Sequence, residues 1–183
     1  MDPADRHRRV AARFEELMAG TTNWDAPSPV PEWNARDVVR HLLEWFPPFL
    51  QDASDVTLAA ETSVDDDPVA AWRTRSDEIQ ALLDAPSPPR FEHPRIGAMP
   101  FGEAIDRFYT GDVFLHSWDL ARATGQDDTL DPETCAAMLA GMEPMEEVMR
   151  SSGHYGPRFV VPADADVQTR LIAFIGRNPY WSS

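Results

Sequence analysis

Three residues in this chain have the types and spacing to hold a metal ion. His41 lies in Trp33-Asn-Ala-Arg-Asp-Val-Val-Arg-His41-Leu-Leu, and His116 in Asp112-Val-Phe-Leu-His116-Ser-Trp-Asp-Leu-Ala. On an α-helix, positions four apart lie about 40° apart on one face, one turn up. Asp112 and His116 can therefore aim an oxygen and an imidazole nitrogen at one point. If the segment carrying His41 packs beside theirs, it supplies a third ligand. Two histidines and one carboxylate with open coordination positions are a donor set for a catalytic divalent metal.

Two helices must position these groups. Asn34 reads as an N-cap with Asp37 near the positive helix end. Val38, His41, Leu42, Trp45 and Phe49 follow at spacings of three and four, which puts His41 on the buried face. Pro47-Pro48 should end or kink that helix. From Phe101 to Thr124, Ile105, Phe108, Asp112, His116, Asp119 and Leu120 fall on one stripe, and Gly125 is placed to stop the helix. An uncompensated carboxylate on a buried face is costly, and a divalent cation would compensate it directly. Asp119 can replace Asp112 as the ligand but can hardly join it, since seven residues of helix separate them by about 10 Å. The carboxylate that does not bind can hold a ligand imidazole from behind or pair with Arg122.

The remaining pattern is also helical. A first helix is expected over 3–19, with Gly20 as its cap. A proline-rich loop over 21–33 follows, with Trp24 and Trp33 folded into the core. Asp67-Pro68 and Asp131-Pro132 both read as a cap followed by proline at the first helical position. They open helices marked by Val69, Trp72, Ile79, Leu82 and Leu83, and by Ala136, Leu139, Met142, Met145 and Met149, the latter kinked at Pro144. A short helix is expected over 165–175. The five prolines of residues 86–100 suggest extended segments or a loop over one end of the molecule, and no alternating strand pattern stands out. The expected class is all-α, a helix bundle that builds its metal site from inward-facing side chains.

Composition narrows the partners. The chain has 183 residues and a formal net charge of -15. One domain over 1–183 is the expectation. The negative charge argues against nucleic acid and anionic membranes. No apolar run approaches the roughly 20 residues of a membrane span, and the first residues lack the apolar core of a signal peptide, so a cytoplasmic location is expected. The single cysteine, Cys135, excludes an internal disulfide and a cysteine-based zinc site. It sits at helical spacing from Leu139 and Met142 and reads as a small buried hydrophobe. His7 and His93 carry weaker signals. His154, in Gly153-His154-Tyr155-Gly156, lies in a loop that can face the site. No glycine-rich phosphate loop or Gly-x-Ser-x-Gly elbow is present.

At these residues the chain resembles the metal-binding domain of mycothiol-dependent maleylpyruvate isomerase, within the wider DinB-like superfamily. The matching stretches are Pro31-Glu-Trp-Asn-Ala-Arg-Asp-Val-Val-Arg-His-Leu, Asp112-Val-Phe-Leu-His-Ser-Trp-Asp-Leu-Ala-Arg-Ala-Thr-Gly125 and the tail Arg170-Leu-Ile-Ala-Phe-Ile-Gly-Arg-Asn-Pro179. The tail is similar to the ending of short, stand-alone actinobacterial proteins of that group. The resemblance implies a DinB-like up-down-down-up four-helix bundle, with His41, Asp112 and His116 as ligands of a divalent metal. Zinc comes first, then nickel or another divalent ion. The isomerases carry Glu where this chain has Asp112. They also carry a C-terminal domain that helps form the active site and supplies a catalytic arginine. The 183 residues leave no room for it, so isomerase activity is not expected from the resemblance alone. Relatives in the superfamily often pair through helices, which makes a homodimer compatible with it.

The first functional reading is a metal-dependent enzyme that activates a low-molecular-weight thiol for transfer or isomerisation of an electrophile, with mycothiol the thiol the resemblance implies. A second is a non-catalytic metal-binding sensor or interaction module. A third is hydrolysis by a metal-bound hydroxide.

Overall fold

The computed structural model describes residues 1–59, 62–151, 153 and 155–182. Several helices start where a side chain satisfies a free N–H group of the first turn. Helix α1 (Pro3–Gly20) opens on Asp2, whose carboxylate accepts from the Ala4 N–H. Helix α2 (Ala35–Glu44) opens on a reciprocal capping box between Asn34 and Asp37. Helix α3 (Phe46–Ala53) follows at once. Asp67 caps α4 (Pro68–Leu83) through the Ala70 N–H. A hairpin of β1 (Phe91–His93) and β2 (Gly97–Met99) leads into α5 (Phe101–Ala104), a π-helical segment (Ile105–Thr110) and α6 (Gly111–Thr124). Then come α7 (Pro132–Met142), a 3-10 turn (Glu143–Met145), α8 (Glu146–Ser151) and α9 (Val167–Phe174).

Side-chain contacts fix the directions of α1, α2, α4 and α6. His7 meets Gln80 while Arg73 meets Glu15, so α1 and α4 run antiparallel. Arg6 pairs with Asp106 and Gln126 donates to the Leu17 carbonyl, so α1 and the 101–124 rod run in parallel. Trp33 lies against His116 while Trp45 bonds Asp112, so α2 opposes α6. The result is the all-α, up-down-down-up bundle of DinB-like type. Its core includes Phe14, Leu42, Leu43, Phe46, Trp72, Tyr109 and Trp118, all buried. Helices α7 and α9 pack on each other outside these four. No helix among the described residues is long and apolar enough to cross a membrane.

One local expectation is sharpened and two change. The helix expected to end or kink at Pro47-Pro48 ends just before them, at Glu44, and both prolines sit in the first turn of α3, where their missing N–H groups cost nothing. The single helix expected over 101–124 contains a π-helical segment that ends at Thr110, immediately before the segment of Asp112 and His116. Such wider turns recur at functional sites. The 86–100 stretch does form strands, in an antiparallel pair that matches Phe91 with Met99 and His93 with Gly97. Each strand spans three residues, too few to show a period of two. Phe91 and His93 face inward with Glu92 out, and His93 stacks on Phe49 with centroids 5.0 Å apart. Other expectations stand. Gly125 caps α6 in the left-handed conformation at φ 68°, and Pro144 falls in the 3-10 interruption after α7.

Candidate metal centre

His41 from α2 meets Asp112 and His116 from α6. His41 Nε2 lies 3.2 Å from Asp112 Oδ2, and His116 Nε2 lies 3.6 Å from Asp112 Oδ1. One ligand atom from each of the three residues lies within 4.8 Å of the others. Ligand atoms at zinc distances of 2.0–2.1 Å are separated by about 3.3 Å along a tetrahedral edge. The two imidazoles approach opposite oxygens of Asp112 near that spacing, His41 at Oδ2 and His116 at Oδ1. The side chains of His41 and Asp112 are 31% and 21% exposed and that of His116 only 6%, so the open side of the cluster is at His41.

Asp112 is held as an anion. Burial pushes its carboxyl pKa up, but the charge of His116 and hydrogen bonds from His41 and the Trp45 indole N–H outweigh this and leave it below the usual value. Asp119 takes the other role open to it. Fully buried, its Oδ2 lies 2.9 Å from His116 Nδ1. A proton on Nδ1, donated to Asp119, leaves the Nε2 lone pair free for a metal. Arg177, beyond α9, donates to Asp119 at 3.1 and 3.3 Å. Burial raises the Asp119 pKa, and the charges of Arg177 and His116 more than offset it, so this carboxyl also lies below its ordinary value. Arg122, the alternative partner read from sequence, pairs with Asp128 instead and donates to the Pro179 carbonyl.

In front of the open side lies a cavity of about 560 Å³ lined by Glu32, Trp33, Asp37, Arg40, His41, Glu44 and Trp45. The Trp33 ring sits 5.0 Å from that of His41 and 5.9 Å from that of His116. The proline-rich loop is ordered by being tied to the start of α2. Ala35 and Arg36 donate their N–H groups to the carbonyls of Ala26 and Trp24, and Ser28 donates to Trp33. Tyr155 responds electrostatically to both Asp112 and Arg177. Burial, and then the Asp112 charge, push its hydroxyl up to about 12, so it stays protonated at neutral pH.

The sequence profile of the mycothiol maleylpyruvate isomerase N-terminal domain matches residues 7–121. The chain belongs to this family. Two uncharacterized proteins of Mycobacterium tuberculosis, from strains CDC 1551 / Oshkosh and H37Rv, are each 29% identical to it over 191 residues, with 97% of this chain and 99% of theirs covered. No solved structure matches. The family match includes His41, Asp112, His116 and Asp119, and ends well before Arg177.

In this member of the family, the three ligand candidates read from sequence converge. Reasoning from spacing missed Arg177, for which no local signal exists, and the cavity-wall role of Trp33 and Trp45. Trp45 falls one turn after His41 on the same stripe, which could have flagged it. His154 lies outside the described residues. His93 is buried against Phe49, away from the cluster, and its Nδ1 accepts the Arg95 N–H. Cys135 is buried in α7 and its thiol is pushed up to about 11, first by burial and then by Asp131 and Asp166, so it is inert as a nucleophile.

Proposed function

We propose that this protein binds a divalent metal through His41, Asp112 and His116 and activates a low-molecular-weight thiol, of the mycothiol type, for transfer to or isomerisation of an electrophile. The observation that carries the proposal is the convergence of three ligand atoms from α2 and α6 beneath an open cavity. Two imidazoles and one carboxylate suit zinc first and nickel second. When bound, the cation would stabilise a thiolate at neutral pH.

The chain's own residues supply the rest. Asp119, anchored by Arg177, fixes the ring and proton position of His116. The Trp45 indole N–H holds the Asp112 carboxylate in place. Trp33 and Trp45 give the cavity apolar walls that shield a bound thiol from water. The Tyr155 hydroxyl remains a neutral donor near the same carboxylate. A small thiol and its electrophile are the partners this arrangement suits.

The test couples metal content to turnover. Tag-free protein purified without added metal should carry near-stoichiometric zinc or nickel, and should accelerate conjugation of a small thiol to a chromogenic electrophile. Chelation and His41→Ala should both abolish the rate. Metal binding without thiol-dependent turnover would point to a non-catalytic metal-binding module. Ester or amide cleavage without thiol would point to a hydrolase.

A further inference from the structure

The cavity in front of the cluster has an uneven charge. Three carboxylates line it, from Glu32, Asp37 and Glu44, against one guanidinium, that of Arg40. That guanidinium is already engaged. Arg40 bonds Asp37 at 2.7 Å and also Asp65, and lies 3.9 Å from Glu44. Glu32 and Glu44 are exposed at the rim, and no described cation bonds Glu32. The backbone spends energy to present this rim. Glu32 sits at φ 68°, the one positive φ at a non-glycine residue among those described. Glutamate reaches that region at a cost that persists only where the surroundings enforce it. Here the Pro27–Asn34 bridge and the Trp33 N–H bond to the Val30 carbonyl hold the turn. Trp33 and Trp45 also line the cavity, and aromatic rings attract cations through their quadrupoles.

From this geometry, and resting on the thiol-site reading above, we infer that the cavity selects its small-molecule ligand by charge. It admits neutral and cationic thiols, such as those bearing an amine, and disfavours polyanions. A dicarboxylate would meet the rim carboxylates of Glu32 and Glu44 and, in the cavity wall, a guanidinium already engaged by Asp37 and Asp65. A ligand ammonium would meet Glu32 and Glu44 beside two indole rings. This makes Glu32 and Glu44 specificity-determining residues outside the metal ligands.

The test uses the full chain loaded with Co(II), whose sulfur-to-cobalt absorption reports thiol coordination. Cysteamine, 2-mercaptoethanol and 3-mercaptopropionate are titrated into wild type and into a Glu32→Gln, Glu44→Gln double variant. Both positions are exposed, so the variant should fold. The ratio of the 3-mercaptopropionate Kd to the cysteamine Kd should fall about tenfold in the variant, and should shrink in wild type at high salt. Using the ratio between proteins cancels the intrinsic difference in thiol basicity. An unchanged ratio, with all three thiols still binding, overturns the charge-selection inference and leaves the thiol site standing. No sulfur-to-cobalt band with any thiol, on protein that holds cobalt, overturns the thiol-site reading and this inference with it.

Discussion

His7 and His116 are both buried at contacts between bundle helices, with 1% and 5% of their surface exposed, yet their surroundings differ. His7 bonds Gln80 through Nδ1 at 2.8 Å, and its Nε2 has no hydrogen-bond partner among the described residues. Burial lowers its pKa, so it sits in the core as a neutral ring. His116 has a carboxylate on each side, Asp119 at Nδ1 and Asp112 at Nε2. One orients the ring, and the other shares its open side with His41. Burial therefore does not mark a histidine as functional. What separates the two is a pair of carboxylates at minus four and plus three on the same helix. They fix the imidazole's proton on one nitrogen and leave negative charge beside the other.

The largest expected effect breaks the pair apart directly. His116→Ala, His41→Ala or Asp112→Asn should each cut metal affinity at least a hundredfold, read as metal per chain by mass spectrometry. His7→Ala should leave loading unchanged. Loss of metal in the His7 variant, with its fold intact by circular dichroism, would erase the distinction. Next in size is the support behind His116. Asp119→Asn should weaken metal binding by about 10–100-fold in a chelator competition, as replacements behind a ligand histidine do. Binding at wild-type strength would reduce Asp119 to a partner for Arg177.

A pH series sharpens the comparison. Asp112 and Asp119 have folded pKa values below the ordinary 3.8. Their contribution to stability is therefore fully present above about pH 4 and is lost as pH falls through the lower folded values. Metal retention should fail earlier, because protons compete with the cation for the ligand nitrogens. Metal content and thermal unfolding of the apo protein should thus fall in separate pH ranges. A single shared transition near pH 4 would argue against histidine ligation. The smallest effect belongs to His7. His7→Ala removes a buried ring and takes away the partner of Gln80 Oε1, and should cost about 1–3 kcal/mol in a denaturant titration. No loss of stability would mean that the α1–α4 contact does not depend on this ring.

Much of the site was legible because helix geometry is local. Asp112 and His116 share a face by spacing alone, and Asn34, Asp67 and Asp131 cap helices because their side chains reach N–H groups two or three residues on. The stripe through Val38, Leu42 and Trp45 also turned His41 toward α6. The breaks were harder to read. Trp45 ends one helix and begins another, and the π-helical segment before Gly111 has no residue pattern that announces it. The hairpin at 91–99 is too short for alternation to show.

By itself, the amino-acid sequence determined which segments become helices, which faces of them are apolar, and that a carboxylate and an imidazole stand one turn apart on α6. Those properties follow from a repeat of 3.6 residues and from caps that act within a single turn. Only the tertiary structure decided that Asp112 joins the two histidines while Asp119 supports one from behind. It alone brought Arg177 to Asp119 across 58 residues. It also set Trp33 and Trp45 beside a cavity rimmed by Glu32 and Glu44. These outcomes depend on which helices pack together and at what height, and a local periodicity carries no record of that.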